Sequence, residues 1–262
     1  MGLKEMRHGQ SMGDGSLRPC SPRPAMSCLP TCLCVDPIYT GYVWRVIGGS
    51  EASSNIFLVI EVIGTVTFAI SGVMAAARAS MDWLGAIVLA VVVAIGGGTI
   101  RDLLIGRLPV SWIEEAWPVQ VAIGTAVIVI LVLRMRPHAD LVAWTPMLIA
   151  DAAGLSAFVI LGTDIALDAG LNGFLAILLG TITGVGGGVL RDILTGNKPI
   201  VLVGQVYALA GIAGSALFVV LIELGVNPDL SVWLPMAAIL GIRMVSIRRD
   251  WHLPKVVARP VE

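Results

Sequence analysis

Charged residues are scarce in this sequence of 262 residues: Asp, Glu, Lys and Arg make up 13% of it, against about 25% in ordinary soluble domains. Because 56% of the residues are apolar, the chain has too little charge to cover a water-exposed surface. The formal net charge of −1 gives no basis for binding nucleic acid. These shortages exclude an ordinary soluble domain and predict a protein embedded in a lipid bilayer, with no nucleic-acid partner.

Histidine and cysteine are missing from the places where catalysis or metal binding would need them. His8, His138 and His252 lie outside the long apolar runs, and all four cysteines precede residue 35. No paired His/Glu metal motif and no Ser/His/Asp set is present. The sequence therefore predicts no enzyme, no metal and no cofactor. Residues 1–55, which lack the apolar run of a signal peptide, are predicted to be a disordered extension.

Seven long apolar runs follow, and a span of the bilayer core needs roughly 20 such residues. The runs cover 56–77, 83–104, 118–134, 144–163, 172–194, 200–222 and 230–247. Lys and Arg gather in the segments on the same side as the C-terminus, so the positive-inside rule predicts a cytoplasmic C-terminus and an external N-terminus. Arg243, near the end of the last run, is expected to extend its side chain to the membrane surface.

The sequence repeats itself with an offset of 90 residues and no gap. The run Gly-Gly-Gly-Thr-Ile-Arg-Asp at 96–102 falls on Gly-Gly-Gly-Val-Leu-Arg-Asp at 186–192. Each copy holds three apolar runs, an odd number, so the second copy must be inverted in the membrane. We therefore predict an all-α integral membrane protein of seven transmembrane helices: repeats at 56–135 and 144–224, a seventh helix at 229–247 and a basic cytoplasmic tail at 248–262.

The duplicated glycines allow two interpretations. Glycine destabilises a helix by roughly 1 kcal/mol relative to alanine, so three in a row favour a kink or break that exposes backbone groups to a solute pathway. Alternatively, small residues let two helices pack closely. The residues concerned are Gly96, Gly97, Gly98, Gly186, Gly187 and Gly188.

The duplicated charges are costly inside a bilayer and need partners or water. Adjacent residues do not face each other on a helix, so Arg101 is expected to pair outside its own motif, with the other repeat or with Glu61, and Arg191 with Asp151. Glu61 and Asp151 serve either as salt-bridge partners or as groups that attract cations or carry protons. Asp102 and Asp192 belong either to the pathway or to helix ends at the membrane surface.

Two three-helix repeats with Gly-Gly-Gly-x-x-Arg-Asp, a lone seventh span and a basic tail resemble the prokaryotic branch of the trimeric intracellular cation channel family. Its bacterial members are also catalogued as proteins with two glycine-transporter domains. The resemblance covers residues 56–247. It implies a homotrimer in the bacterial inner membrane, with one pathway for monovalent cations, mainly K⁺, in each protomer. It also implies that the second and fifth helices kink at the glycines and line that pathway. The alternative is a secondary transporter of glycine or another small amino acid.

Overall fold

The computed structural model describes residues 51–135, 144–203, 206–249 and 251, and every regular element in these ranges is helical. In chain order the helices are α1 (Glu51–Arg78), α2 (Trp83–Ile105), α3 (Ser111–Glu114), α4 (Trp117–Met135), α5 (Trp144–Asp168), α6 (Gly173–Leu194), α7 (Ile200–Val203), α8 (Ala208–Glu223) and α9 (Pro228–Arg249). Six of them, α1, α2, α4, α5, α6 and α9, are long and apolar enough to cross a membrane. The chain is a multi-pass helical membrane protein. Residues 1–50 of the predicted N-terminal extension lie outside the described residues. Nearly all of the predicted tail also lies outside them.

The composition of the sixth apolar run predicts one helix from 200 to 222. The structure does not have this single helix. The run is divided into the one-turn helix α7 and the apolar helix α8, which begins at Ala208. The equivalent segment of the first repeat is divided in the same way: the one-turn helix α3 ends at Glu114, and α4 begins at Trp117. Hydropathy misses the division in the second repeat because this segment is apolar on both sides of it.

The two repeats begin and end their second helices alike. Asp82 accepts a hydrogen bond from the backbone N–H three residues ahead at 2.6 Å, and Asn172, ninety positions later, accepts the equivalent bond at 2.9 Å. These side chains satisfy donors that a helix start leaves open. After each helix the chain turns at a glycine with positive φ, Gly106 and Gly196, a conformation that other residues seldom adopt. The turns therefore repeat along with the sequence.

Helix α5 lies at the centre of the molecule. Of its apolar window 78% is buried, against 17% for α4, and it packs on α1, α6, α8 and α9. Where α5 meets α1, the rings of Phe68 and Phe158 stack with centroids 5.3 Å apart. A Cβ on Gly64 would lie 2.9 Å from the Phe158 ring, and one on Gly154 would overlap the Phe68 ring. Each repeat thus places its phenylalanine over the glycine of the other.

Helices α2 and α6 cross at the duplicated glycines through matching contacts. A Cβ on Gly97 would overlap the carbonyl oxygen of Thr183, and one on Gly187 would overlap that of Val93, the equivalent residue. Gly96 likewise faces Leu190, while Gly186 faces Ile100. These four glycines hold two helix backbones in direct contact, as the packing interpretation predicts.

Of the kink or break that three consecutive glycines favour, the break does not occur in either helix. Both α2 and α6 run through the motif without interruption. In a bilayer the freed backbone groups would find no water to bind, so the helical hydrogen bonds persist. Close contact with the opposite backbone offsets the low helix propensity of glycine.

Candidate functional site

The Arg-Asp pair of each motif folds onto itself with the same geometry in both repeats. Nε of Arg101 donates to Oδ1 of Asp102 at 2.8 Å, and Nε of Arg191 donates to Oδ1 of Asp192 at 2.8 Å. The expectation that Arg101 pairs outside its own motif is wrong. The Cβ atoms of adjacent residues do diverge on a helix, but the long arginine stem lets the guanidinium reach back to its neighbour.

The second carboxylate oxygen of each aspartate accepts a hydrogen bond from the first residue of the next short helix. Oδ2 of Asp102 accepts the backbone N–H of Ser111 at 2.8 Å, and Oδ2 of Asp192 accepts that of Ile200 at 2.9 Å. These residues begin α3 and α7, where unpaired N–H groups favour a nearby negative charge. Asp102 and Asp192 therefore lie in the last turn of α2 and α6, as the helix-end interpretation predicts, but they are buried rather than at the surface.

In the second repeat the arginine is completely enclosed. Nη1 of Arg191 donates to Oδ1 of Asp151 at 2.5 Å and to the hydroxyl of Ser71 at 2.7 Å. The predicted pairing of Arg191 with Asp151 is confirmed, and both side chains are fully inaccessible. Arg191 also keeps its bond to Asp192, so one guanidinium joins α6, α5 and α1.

A second arginine is buried beside this cluster. Arg243 on α9 is fully enclosed, and its guanidinium lies over the ring of Tyr207, 4.5 Å from the centroid. The expectation that Arg243 reaches the membrane surface is wrong. The face of an aromatic ring attracts a cation, and Asp151 adds electrostatic attraction, so the side chain stays inside the protein.

In the first repeat the equivalent arginine lies beside open space. Nη2 of Arg101 donates to the hydroxyl of Ser111 at 3.2 Å, and that hydroxyl also donates to Asp102. The ion-pair partner of Arg101 is Asp102 and not Glu61, although Glu61 and Arg101 line the same cavities.

Two adjoining cavities share Glu61, Arg101, Ser111 and Pro118 as lining residues. The inner one, of about 40 Å³, extends to Thr65, Gly98 and Phe158. The outer one, of about 170 Å³, extends past Trp117 to the exposed carboxylates of Glu114 and Glu115. Glu114 is paired with Arg107 at 3.0 Å. An acid-rich recess, polar in its outer part and mainly apolar in its inner part, therefore leads from exposed residues toward the contact between the repeats.

The predicted site residues fall into three groups in the structure. Glu61, Gly98, Arg101 and Asp102 line the recess of the first repeat. The second group is enclosed: a Cβ on Gly188 would lie 2.7 Å from the Tyr207 hydroxyl and 3.1 Å from Oδ1 of Asp151. The four other motif glycines are helix contacts. The equivalent residues of the two repeats thus have different surroundings.

Sequence reasoning missed three residues that contact the two Arg-Asp pairs or their partners, Ser71, Ser111 and Tyr207, and it assigned a fourth, Arg243, to the membrane surface. Tyr207 could have been found, since it falls on Trp117, the aromatic residue directly before the third apolar run, when the sequence is shifted by 90 residues. Ser71 and Ser111 carry no signal of their own, because single serines are common in both helices and connecting segments.

Comparison with known proteins agrees with the duplicated architecture. A family model described as Glycine transporter matches twice, at residues 58–134 and 148–223. The chain is 39% identical over 200 residues to a UPF0126 membrane protein of Vibrio cholerae, which covers 76% of this chain and 82% of that protein. It is 37% identical to the UPF0126 inner membrane protein YadS of Escherichia coli strain K12, over 74% of this chain and 92% of that one.

Solved structures of the same fold are cation channels. The TRIC trimeric intracellular cation channel orthologue from Rhodobacter sphaeroides superposes with a TM-score of 0.70 at 33% identity, covering 75% of this chain and 99% of its own. A prokaryotic TRIC channel in 0.5 M KCl gives a TM-score of 0.70 at 27% identity, over 75% of this chain and 98% of that one.

Proposed function

This chain belongs to the family of membrane proteins that the Glycine transporter model describes, and from that premise we propose that it is a cation channel selective for monovalent ions, mainly K⁺. The observation that carries the proposal is the acid-rich recess ending at Gly98, within a fold shared at 33% identity with a TRIC cation channel. The protein needs no cofactor for this, since the electrochemical gradient drives the flow.

The proposed pathway runs between the repeats. Glu61, Glu114 and Glu115 raise the local concentration of cations at its mouth, and Arg101 and Asp102 form its wall. It continues along the glycine faces of the second and fifth spans, α2 and α6, which bend at Gly98 and Gly188 on opening. Carbonyl oxygens near such a bend replace part of the ion's water shell.

The proposed topology has α8 as a seventh crossing helix and the two repeats inverted. Helix α8 has 16 residues and is apolar, and a short crossing is accommodated by local thinning of the bilayer. The contacts of α2 and α6 support the inversion, because Gly96 meets Leu190 while Ile100 meets Gly186, so the equivalent helices run antiparallel. The distribution of Lys and Arg favours a cytoplasmic C-terminus and an external N-terminus, and the proposed topology has this orientation.

The proposed assembly is a homotrimer in the inner membrane. The described TRIC orthologue is trimeric, and YadS is an inner membrane protein. Helix α4 is the least buried of the six long helices, and its exposed apolar side chains, for example Ile128, Leu131 and Met135, would be covered by a neighbour or by lipid.

Planar-bilayer recording tests the channel directly. In asymmetric KCl we expect discrete currents that reverse near the K⁺ potential, and replacement of K⁺ with Na⁺ measures selectivity. Glu61→Gln is expected to reduce cation conductance at low salt and less at high salt, because screening weakens the attraction. Glu223→Gln, the same change at an exposed site outside the recess, is the matched control. Currents unchanged by Glu61→Gln would remove the recess from the pathway.

A second function is favoured by one specific feature. The recess presents a guanidinium, Arg101, and a carboxylate, Glu61, on the walls of one cavity, and a small zwitterion such as glycine carries both opposite charges. Such a transporter would show saturable glycine uptake in proteoliposomes and no unitary currents. Uptake that rises linearly with glycine concentration, together with unitary K⁺ currents, would reject it.

A further inference from the structure

Helix α9 contributes a charge that the duplication does not supply. The helix follows the two matched segments, which end at residue 223, and it packs mainly on α5 and α8. Its Arg243 is fully buried over Tyr207, in electrostatic contact with Asp151 and Arg191. Burying a second guanidinium next to Arg191 is costly in a low-dielectric interior, so its presence there requires an explanation.

The surroundings of Arg243 correspond to the open recess of the first repeat. Shifted by 90 residues, Gly188 and Asp151 fall on Gly98 and Glu61, and Tyr207 falls on Trp117. All three counterparts line cavities. In the second repeat the Tyr207 hydroxyl occupies the space in front of Gly188, beside Asp151, and Arg243 covers the tyrosine ring.

The charge balance immediately around the two Arg-Asp pairs differs by this one residue. In the inner cavity of the first repeat Glu61 and Asp102 oppose the single cation Arg101. In the second, Asp151 and Asp192 oppose both Arg191 and Arg243. The region around Tyr207 therefore already contains its cation, whereas the recess has an excess of negative charge.

We propose that Arg243 is a tethered cation that fills the second half of the pathway and limits the passage of free cations through it. The inference rests on the proposed channel function. The guanidinium lies over the Tyr207 ring and within the electrostatic influence of Asp151, so an ion entering from this side meets a positive charge. Movement of α9 against α5 and α8 would withdraw it, which makes α9 the element that sets conductance.

Removal of the guanidinium tests the proposal in bilayer recordings. In Arg243→Ala we expect a rise of about threefold in unitary K⁺ conductance, because the second half then attracts cations as the first does. Free guanidinium, added at millimolar concentration, should occupy the vacated place and block the variant but not the unsubstituted protein. Arg243→Lys, which keeps the charge, should retain the original conductance. Arg248→Ala, an exposed residue of the same helix, is the control.

A second measurement does not depend on conduction. The unfolding temperature of purified Arg243→Ala should rise in millimolar guanidinium chloride relative to equal KCl, because a ligand that binds only the folded state stabilises it. The unsubstituted protein and Arg248→Ala should show no rise. Arg243→Gln, which keeps length and polarity, takes the place of the alanine variant if that variant does not fold.

The outcomes separate the two proposals. Silent bilayers for every protein would reject the channel, while a guanidinium-dependent rise in unfolding temperature would still establish the cation site of Arg243. Active channels with unchanged conductance in the variant, no guanidinium block and no rise in unfolding temperature would overturn the tethered cation.

Discussion

The two Arg-Asp pairs have the same internal geometry but different surroundings. Arg101 and Arg191 each donate from Nε to the neighbouring aspartate at 2.8 Å, and each aspartate holds the start of a short helix. Around Arg101 there is a recess with Glu61 on its wall. Around Arg191 the same space is filled by Asp151, Ser71 and the Tyr207–Arg243 pair.

This comparison shows how a duplicated motif acquires two roles. The bonds within the motif are local, so they survive in both copies. The bonds beyond it depend on which residues reach it from α1, α5, α8 and α9. In the second repeat these residues close the space and join the helices. In the first they leave a cavity with charged side chains on its wall.

The largest expected effect separates the enclosed arginine from the open one. Arg191→Met leaves Asp151 and Asp192 buried without their cation, which costs about 3–5 kcal/mol of stability. Arg101→Met should cost much less, because the vacated space opens to the adjoining recess and Ser111 still donates two hydrogen bonds to Asp102. Thermal unfolding of the detergent-purified variants, followed by size-exclusion chromatography, measures both. Equal losses would mean that the recess does not admit water.

Glycine substitutions should give the next largest difference. Gly187→Ala places a Cβ against the backbone carbonyl of Val93. The two helix backbones must move apart to accommodate it, which should lower the stability of the fold by about 3 kcal/mol. Gly98→Ala meets only Nη2 of Arg101 at 3.7 Å, so the fold should persist while unitary conductance falls.

Gly124→Ala, with no atom within 4 Å of the added Cβ, is the matched control for both glycine variants. It should slightly raise the unfolding temperature, because alanine favours the helix. If Gly98→Ala lowers the unfolding temperature as much as Gly187→Ala does, the assignment of Gly98 to the recess is wrong.

The smallest expected difference concerns the serines that bind the two arginines. Ser71→Ala removes a buried bond to Arg191 of 2.7 Å and should cost about 1 kcal/mol, as interhelical hydrogen bonds in membrane proteins do. Ser111→Ala removes a bond to Arg101 of 3.2 Å and the bond that the same hydroxyl donates to Asp102, and water in the recess can replace both. Unfolding in a denaturing detergent resolves the two, and a greater loss in Ser111→Ala would reverse the assignment of open and enclosed regions.

Much of the architecture could be predicted from the sequence because it depends on local patterns. The apolar runs predicted the six long helices within a few residues, since the bilayer allows little else. The pairing of Arg191 with Asp151 followed from the cost of isolated charge in an apolar interior. The break between α7 and α8 was hidden by uniform hydropathy, although the polar segment near Ser111 in the first repeat signalled it.

The sequence by itself determined the membrane class, the duplication and the positions of the charged motif, because composition and internal similarity are properties of the chain alone. Only the tertiary structure decided that Gly96, Gly97, Gly186 and Gly187 are contacts between helices while Gly98 faces a cavity. It also decided that Arg243 turns inward to Tyr207. The physical reason is that packing depends on what a distant helix brings to each face, and a linear pattern does not contain that information.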